Sequence, residues 1–212
     1  MLRLLYSIDI DGRRGRIIRW EERPIRVYDD AMTALRIIAL FGDEDVSPYA
    51  KQYIVMRLLF PDPEAVQEAI EDIGGLLSNA IWDVAGVDID GSHDGEYGES
   101  IIDWEQDADV IEASLWQAYS APLSDIAHKV SFHEFGKLVG MAPHETPIGQ
   151  AIYYRTADEP KSTKYNQEDV ARFRKLRQAW SLKNKASVRD AGAAANNQAT
   201  SMFSSLKRVA HG

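Results

Sequence analysis

Arg26-Val27-Tyr28-Asp29-Asp30-Ala31-Met32-Thr33-Ala34-Leu35-Arg36-Ile37-Ile38-Ala39-Leu40-Phe41-Gly42 carries the change of period that decides the fold. Beyond Asp30 the apolar residues Ala31, Ala34, Leu35, Ile38 and Phe41 recur at the spacing of one helix face. Asp29 or Asp30 can cap the first turn, and Gly42 stops the run. Upstream the spacing is nearer two. Residues 4–10 alternate in part, Asp11-Gly12 offers a left-handed turn, and residues 16–20 follow as a second strand. Residues 26–28 add a third short strand. Downstream every signal is helical.

Ser47-Pro48 opens a second helix, since the hydroxyl accepts a first-turn amide and proline suits the first position. Its expected buried face is Tyr49, Tyr53, Met56, Leu59 and Phe60. A third helix is expected from about Pro63 to Ala80, weakened at Gly74-Gly75, and a long loop from Asp83 to Ser100. Asp103-Trp104-Glu105-Gln106 reads as a capping box. The helix after it should bury Val110, Ile111, Leu115 and Trp116. Ser131-Phe132-His133-Glu134 is a second box, opening a helix that buries Phe135, Leu138 and Val139. Thr146-Pro147 starts another, through Ile148, Ile152 and Tyr153. The last helix is capped at Asn166 and runs to about Lys185, with Val170, Phe173, Leu176 and Trp180 as its apolar stripe and Arg172, Arg174, Lys175 and Arg177 mostly off it. The expected fold is mainly α: a compact multi-helix domain over residues 1–182 with a small N-terminal β-hairpin or short sheet (α+β). Residues 183–212 read as a flexible tail, with a short docking helix at 201–209 carried by Met202, Phe203, Leu206 and Val209.

The 212 residues are 45% apolar, contain no cysteine and carry a net charge of −9. Without cysteine there are no disulfides, zinc ribbons, thiol nucleophiles or iron–sulfur clusters. Ten Lys/Arg lie in residues 1–57, none from Leu58 to His128, where seventeen Asp/Glu lie instead. From Lys161 onward eleven Lys/Arg face three acids. An acidic body and a basic C-terminal segment can pair within one molecule or between copies. An acidic chain is a poor general polyanion binder, and the basic helix lacks a winged-helix or ribbon signature, so no specific nucleic-acid partner is expected. No apolar run approaches the length of a membrane span. The N-terminus is broken by charge too early for a signal peptide, which points to a soluble, cytoplasmic protein.

Asp88, Asp90, Ser92, Asp94, Glu96 and Glu99 fall at the ligand positions of a twelve-residue calcium loop. His93 stands where the sharp turn wants glycine, and Ile101-Ile102 beyond it is strand-like. No metal is therefore expected, with Asp88, Asp90, Asp94 and Glu99 the weak candidates. The five histidines lack metalloprotease spacing, and there is no nucleophile elbow, phosphate-cradling loop or dinucleotide fingerprint. No cofactor and no enzymatic activity are expected.

Three segments together resemble the bacteriophage gene-product-fifteen family: Phe132-His-Glu-Phe135-Gly-Lys-Leu-Val-Gly140; Thr146-Pro-Ile-Gly-Gln-Ala-Ile-Tyr-Tyr-Arg155-Thr-Ala-Asp158; and the Lys/Arg-rich last helix ending near Trp180-Ser-Leu182. Residues 20–28, Leu58-Leu-Phe60-Pro61 and the aromatic-rich stretch 103–119 fit as well. The resemblance covers residues 15–182, and the Tyr-Arg-x-x-Asp run is its most specific part. Members are similar to tail assembly chaperones of long-tailed phages. The resemblance implies a protein that works in the host cytoplasm and is absent from the mature virion. It would bind the tape measure protein, keep its long apolar helices soluble and hand it over as tail tube subunits polymerise. Several such systems make a longer form by ribosomal frameshifting, for which the composition break near Lys185 would be a junction. The expected partners are the tape measure protein, the tail tube protein and further copies of the chain. The candidate contact residues are Phe173, Leu176, Trp180, Met202, Phe203 and Leu206, of which the first three read equally as plain core packing, with Arg172, Arg174, Lys175 and Arg177 as electrostatic guides on a solvated basic side. The alternatives are a structural component retained in the tail or connector, and a calcium-binding interaction module.

Overall fold

The computed structural model describes residues 7–91 and 101–183. The chain is mainly α with one small antiparallel sheet. Its elements run β1 (Ser7–Ile10), β2 (Arg13–Trp20), β3 (Arg23–Tyr28), α1 (Ala31–Gly42), α2 (Pro48–Leu59), α3 (Pro63–Ala69), α4 (Ile73–Ala85), α5 (Ala108–Tyr119), α6 (Leu123–Ala127), α7 (Phe132–Gly140), α8 (Pro147–Thr156) and α9 (Gln167–Trp180). Among the described residues no helix is long and apolar enough to cross a membrane. The contacts divide the chain into two compact units. Within the described residues the first holds 7–91 and Ser124–Phe135, and the second holds 101–123 and 136–183.

In the first unit the strands pair in the order β1-β2-β3. Ile10 pairs with Arg13 across a two-residue turn, where Asp11 and Gly12 both take positive φ, as the sequence predicts. The second hairpin turns on Glu21 and Glu22, both also at positive φ, between Trp20 and Arg23. Neither glutamate is a turn signal, so β3 begins three residues before the predicted Arg26. Pro24 sits on this outer strand, where it withholds no central ladder bond. Gly15 is buried, and a side chain there would overlap Ile10 and the Val27 carbonyl, so the position needs glycine.

Asp30 caps α1, accepting from the Thr33 amide at 3.0 Å. The core gathers Val27 of β3, Ala34, Ile37 and Phe41 of α1, Leu59 and Phe60 at the end of α2, and Leu76, Leu77 and Ile81 of α4. Full burial of each large aliphatic or aromatic side chain contributes about 1.5–3 kcal/mol. α2 turns differently from its prediction. Val55, Met56 and Leu59 face the core, but Tyr49 and Tyr53 are outside and Lys51 is inside. The Lys51 ammonium donates to the Phe41 carbonyl at 3.2 Å, at the negative end of α1, and burial lowers its pKa against the pull of Asp43 and Glu44.

The single helix expected over 63–80 is two helices. The amide of Ile70 closes α3 on the Val66 carbonyl, and Asp72 then caps α4 through the Gly75 amide at 2.9 Å. The glycine pair lies in a first turn, not mid-helix. α4 continues to Ala85 and ends on left-handed Gly86, so the expected loop starts later than Asp83. Residues 124–135 return to the sheet: the Arg14 amide donates to the His128 carbonyl, and the Ala31 amide to that of Val130, each at 2.8 Å.

In the second unit α8 packs against both α5 and α9. Ile111, Leu115, Val139, Ile148, Ala151, Val170 and Phe173 are buried. Ser114, also buried, accepts from the Ile148 amide at 2.9 Å and donates to the Val110 carbonyl, so α5 caps the first turn of α8. Thr146 supplies a second cap through the Gly149 amide. A side chain on Gly149 would overlap the Pro143 carbonyl oxygen.

Candidate interaction surface

Of the three apolar contact candidates on the last helix, one is inside. Phe173 is only 7% exposed. Its ring lies 5.6 Å from that of Tyr154 and 6.4 Å, edge-on, from that of Tyr153. Leu176 and Trp180 are half-buried. Arg177 stacks over Phe173 at 5.1 Å and donates to the carbonyls of Tyr154 and Ala157, closing the end of α8. Its charge is used inside the unit. Arg174 pairs with exposed Glu159 at 2.6 Å, and that hydrogen bond lowers the Glu159 pKa. Arg172 and Lys175 are exposed. α9 ends at Trp180, short of the expected Lys185. Asn166 does not cap it by side chain, because its amide oxygen accepts from Thr163 and its NH2 donates to the Lys161 carbonyl. Met202, Phe203 and Leu206 lie outside the described residues.

Arg155, the arginine of the Tyr-Arg-x-x-Asp run, is the hub of the second unit. Both its terminal nitrogens meet the Asp107 carboxylate, at 2.6 and 2.8 Å, and only 8% and 4% of the two side chains are exposed. It also donates to the carbonyls of Ile101 at 2.8 Å and Trp180 at 2.7 Å. This bidentate fork joins the entry to α5, the end of α8 and the end of α9. Nothing in the local sequence marks Asp107 as the partner of Arg155. The capping pattern points to Asp103, whereas α5 begins after Asp107. Asp103 instead accepts from the amides of Glu105 and Gln106 in a turn. Gln106 does not reach back as a box would. It binds the Ser181 carbonyl and the Lys183 amide. The Ser131–Glu134 box forms as predicted: Ser131 N–H donates to Glu134 at 2.8 Å, and the Glu134 amide to the Ser131 hydroxyl at 3.3 Å.

The exposed apolar surface lies on other helices. On α5 the buried stripe is Ile111, Ser114 and Leu115, which turns Trp116 outward to 60% exposure. Asp109, Glu112, Ala113 and Trp116, all exposed, follow one another at helical spacing along the outer face. Tyr119 extends that face and donates to the Leu138 carbonyl at 3.2 Å. On α2, Tyr49 is 81% exposed, and Tyr53 lies one turn further with Arg57 stacked over it at 4.9 Å. Burial of a serine in the α5 stripe hid this arrangement from hydropathy, which had put Trp116 in the core.

The charged cluster of the first unit is a structural network. Arg13 meets Asp30 at 2.7 Å and Thr33 at 2.5 Å, and Asp30 also faces His128 at 3.2 Å. Arg14 pairs with Glu134 at 3.1 Å and Asp29 at 3.5 Å, and Arg16 with Asp83 at 2.9 Å. Several of these contacts are charge pairs without hydrogen-bond alignment, leaving Arg14 Nε and Arg16 Nη2 unpartnered by direction. Beside them a cavity of about 390 Å³ is lined by Gly12, Arg13, Ser124, Asp125, His128 and Lys129. Its cations are engaged, Arg13 by Asp30 and Lys129 by the Gly12 carbonyl at 2.6 Å. Of the calcium-loop candidates, Asp88 accepts from the Gly91 amide at 2.9 Å in a tight turn. Asp94 and Glu99 lie outside the described residues, and no group of three metal-ligating side chains occurs among the described ones.

A family model described as Bacteriophage Gp15 protein matches residues 21–182. The chain belongs to that family. No curated protein and no solved structure matches it significantly. In this Gp15 family member the matched region takes in the whole Arg155 hub and all of α5, α8 and α9.

Proposed function

We propose that this Gp15 protein is a tail assembly chaperone that holds the tape measure protein in the host cytoplasm and catalyses no reaction. The observation that carries the reading is the family match over residues 21–182, taken with what the family resembles. The outward aromatics support it. A chaperone for long amphipathic helices needs apolar side chains in reach of solvent, ringed by charge that keeps the free protein apart from its copies. Trp116 and Tyr119 beside Asp109 and Glu112, and Tyr49 and Tyr53 beside Arg57, have that composition. Of the predicted contact residues, half-buried Leu176 and Trp180 remain candidates on α9, and buried Phe173 acts as their support. Many weak contacts repeated by several copies along one long client add up to firm retention.

Mass spectrometry of purified particles tests the reading. A chaperone leaves before maturation, so peptides of this chain are expected in the lysate of infected cells and not in the virion. A fixed, stoichiometric set of copies in the particle would make it a structural component instead.

A further inference from the structure

We infer that the outward face of α5 pairs with the outward face of α9 in a second copy of this chain. Both helices belong to the second unit, so each face is complete within it. On α5 the side chains of Asp109, Glu112 and Trp116 are exposed, and on α9 those of Arg172, Lys175 and Ala179. The two triplets share one spacing, three residues and then four. At 1.5 Å per residue each covers about 10 Å of its helix. Laid side by side in the same direction, they set acid against cation twice and then the large indole against a methyl group. Opposite charges and a large side chain over a small one are the two fits that fix a helix register.

The charges of both faces are open within a single copy. Among the described residues, the side chains of Asp109, Glu112, Arg172 and Lys175 form no ion pair and no hydrogen bond. The other two cations of α9 are already used inside the unit, Arg174 on Glu159 and Arg177 on the carbonyls of Tyr154 and Ala157. α5 carries no cation of its own. Each helix buries its opposite side, α5 at Ile111, Ser114 and Leu115 and α9 at Val170 and Phe173, and α8 packs against both. A second copy therefore supplies each face with the partner that its own chain does not.

Because the two faces differ, the contact is head-to-tail, and a row of copies ends in one open α5 face and one open α9 face. Exposed ion pairs contribute little by themselves, so the 60% exposed Trp116 carries the contact and the charges set its register. The net charge of −9 opposes other approaches of two copies and keeps this one weak. The contact stands apart from the chaperone reading, and only its use rests on that reading: α9 of a neighbour covers Trp116 until a client helix takes its place.

Analytical ultracentrifugation of the isolated full chain, without any client, tests the pairing. The average mass should rise with protein concentration and fall back towards the monomer as salt is raised. Asp109→Lys with Glu112→Lys should abolish that rise, and so should Arg172→Glu with Lys175→Glu. An equimolar mixture of these two variants should associate again, because the reversed α5 of one then meets the reversed α9 of the other. Trp116→Ala should weaken association about tenfold or more. All five positions are exposed, so circular dichroism of each variant should match the parent, and neutral Glu112→Gln and Lys175→Gln give milder losses in the same direction. A parent chain that stays monomeric, association that survives either reversal or Trp116→Ala, or a mixture of folded variants that stays apart would overturn the inference. Because no client is present, such a failure leaves the chaperone reading to its own test.

Discussion

On β2, Arg13, Arg14 and Arg16 share Asp29, Asp30, Asp83 and Glu134, whereas in the second unit a single arginine, Arg155, joins the Asp103 amide on Asp107 and also holds the carbonyls of Ile101 and Trp180. The two constructions bury charge under different rules. In the shared network, removal of one arginine leaves a carboxylate with another cation near: Asp29 faces both Arg14 and Arg16. Even so, burial pushes the Asp29 pKa up in spite of those two arginines. In the second unit, removal of Arg155 leaves the buried Asp107 carboxylate with the Asp103 amide but no cation, and takes the donor from two chain carbonyls as well. Redundancy supports the central strand of the sheet, while the second unit depends on one side chain.

Arg155→Ala is the sharpest way to break the comparison. Truncating one partner of a buried ion pair costs about 3–5 kcal/mol, and urea unfolding of this variant should show a loss of that size. Arg16→Ala should cost clearly less. Equal losses would mean that the hub is no more critical than the network. Replacing both members, Arg155→Met with Asp107→Leu, should recover part of the loss, because no charge is then stranded.

Gly149→Ala comes next. The added methyl overlaps the Pro143 carbonyl oxygen at the start of α8, and overpacking of this kind costs about 1–3 kcal/mol. Gly136, with open space where its Cβ would be, should accept alanine without loss. Thermal unfolding of the two variants separates close approach from mere helix propensity.

Glu134→Gln sharpens the electrostatic side. Burial raises the Glu134 pKa, but the Ser131 amide and hydroxyl and the Arg14 charge outweigh it and hold the group below its ordinary 4.5. Its folded pKa lies under its unfolded one, so its contribution is present above pH 4.5 and is lost as pH falls through the folded value. At neutral pH the variant should be less stable by about 1 kcal/mol, the usual worth of a cap. That gap should close in acid. Asp29 works with the opposite sign, since a raised folded pKa favours the fold as pH falls. A gap that widens in acid would contradict the assignment. The smallest effect is expected from Arg174→Ala, whose exposed pair with Glu159 should leave unfolding unchanged.

The sequence was most legible where backbone chemistry is local. The Asp11-Gly12 turn, the caps at Asp30, Ser47, Ser131 and Thr146, and the proline starts of α2 and α8 all stand where the residues put them. It misled where a side chain works across the chain. Asp72 caps in the middle of the helix expected over 63–80, Asp107 is a partner of Arg155 before it is a helix start, and Lys51 is buried on a helix end. Hydropathy placed Tyr49, Tyr53 and Trp116 inside, and their exposure supplies the most accessible aromatic surface of α2 and α5. The predicted stripe on α9 was correct as periodicity but buried at Phe173. A core position and a contact position obey the same spacing, and only the packing of Tyr153 and Tyr154 separates them.

Co-expression with a phage tape measure protein tests the proposed chaperone role most directly. The full chain should bring that protein into the soluble fraction and co-purify with it, and Trp116→Ala should weaken the association while remaining folded. A tape measure protein that aggregates equally with and without this chain, and never co-purifies, would contradict the account.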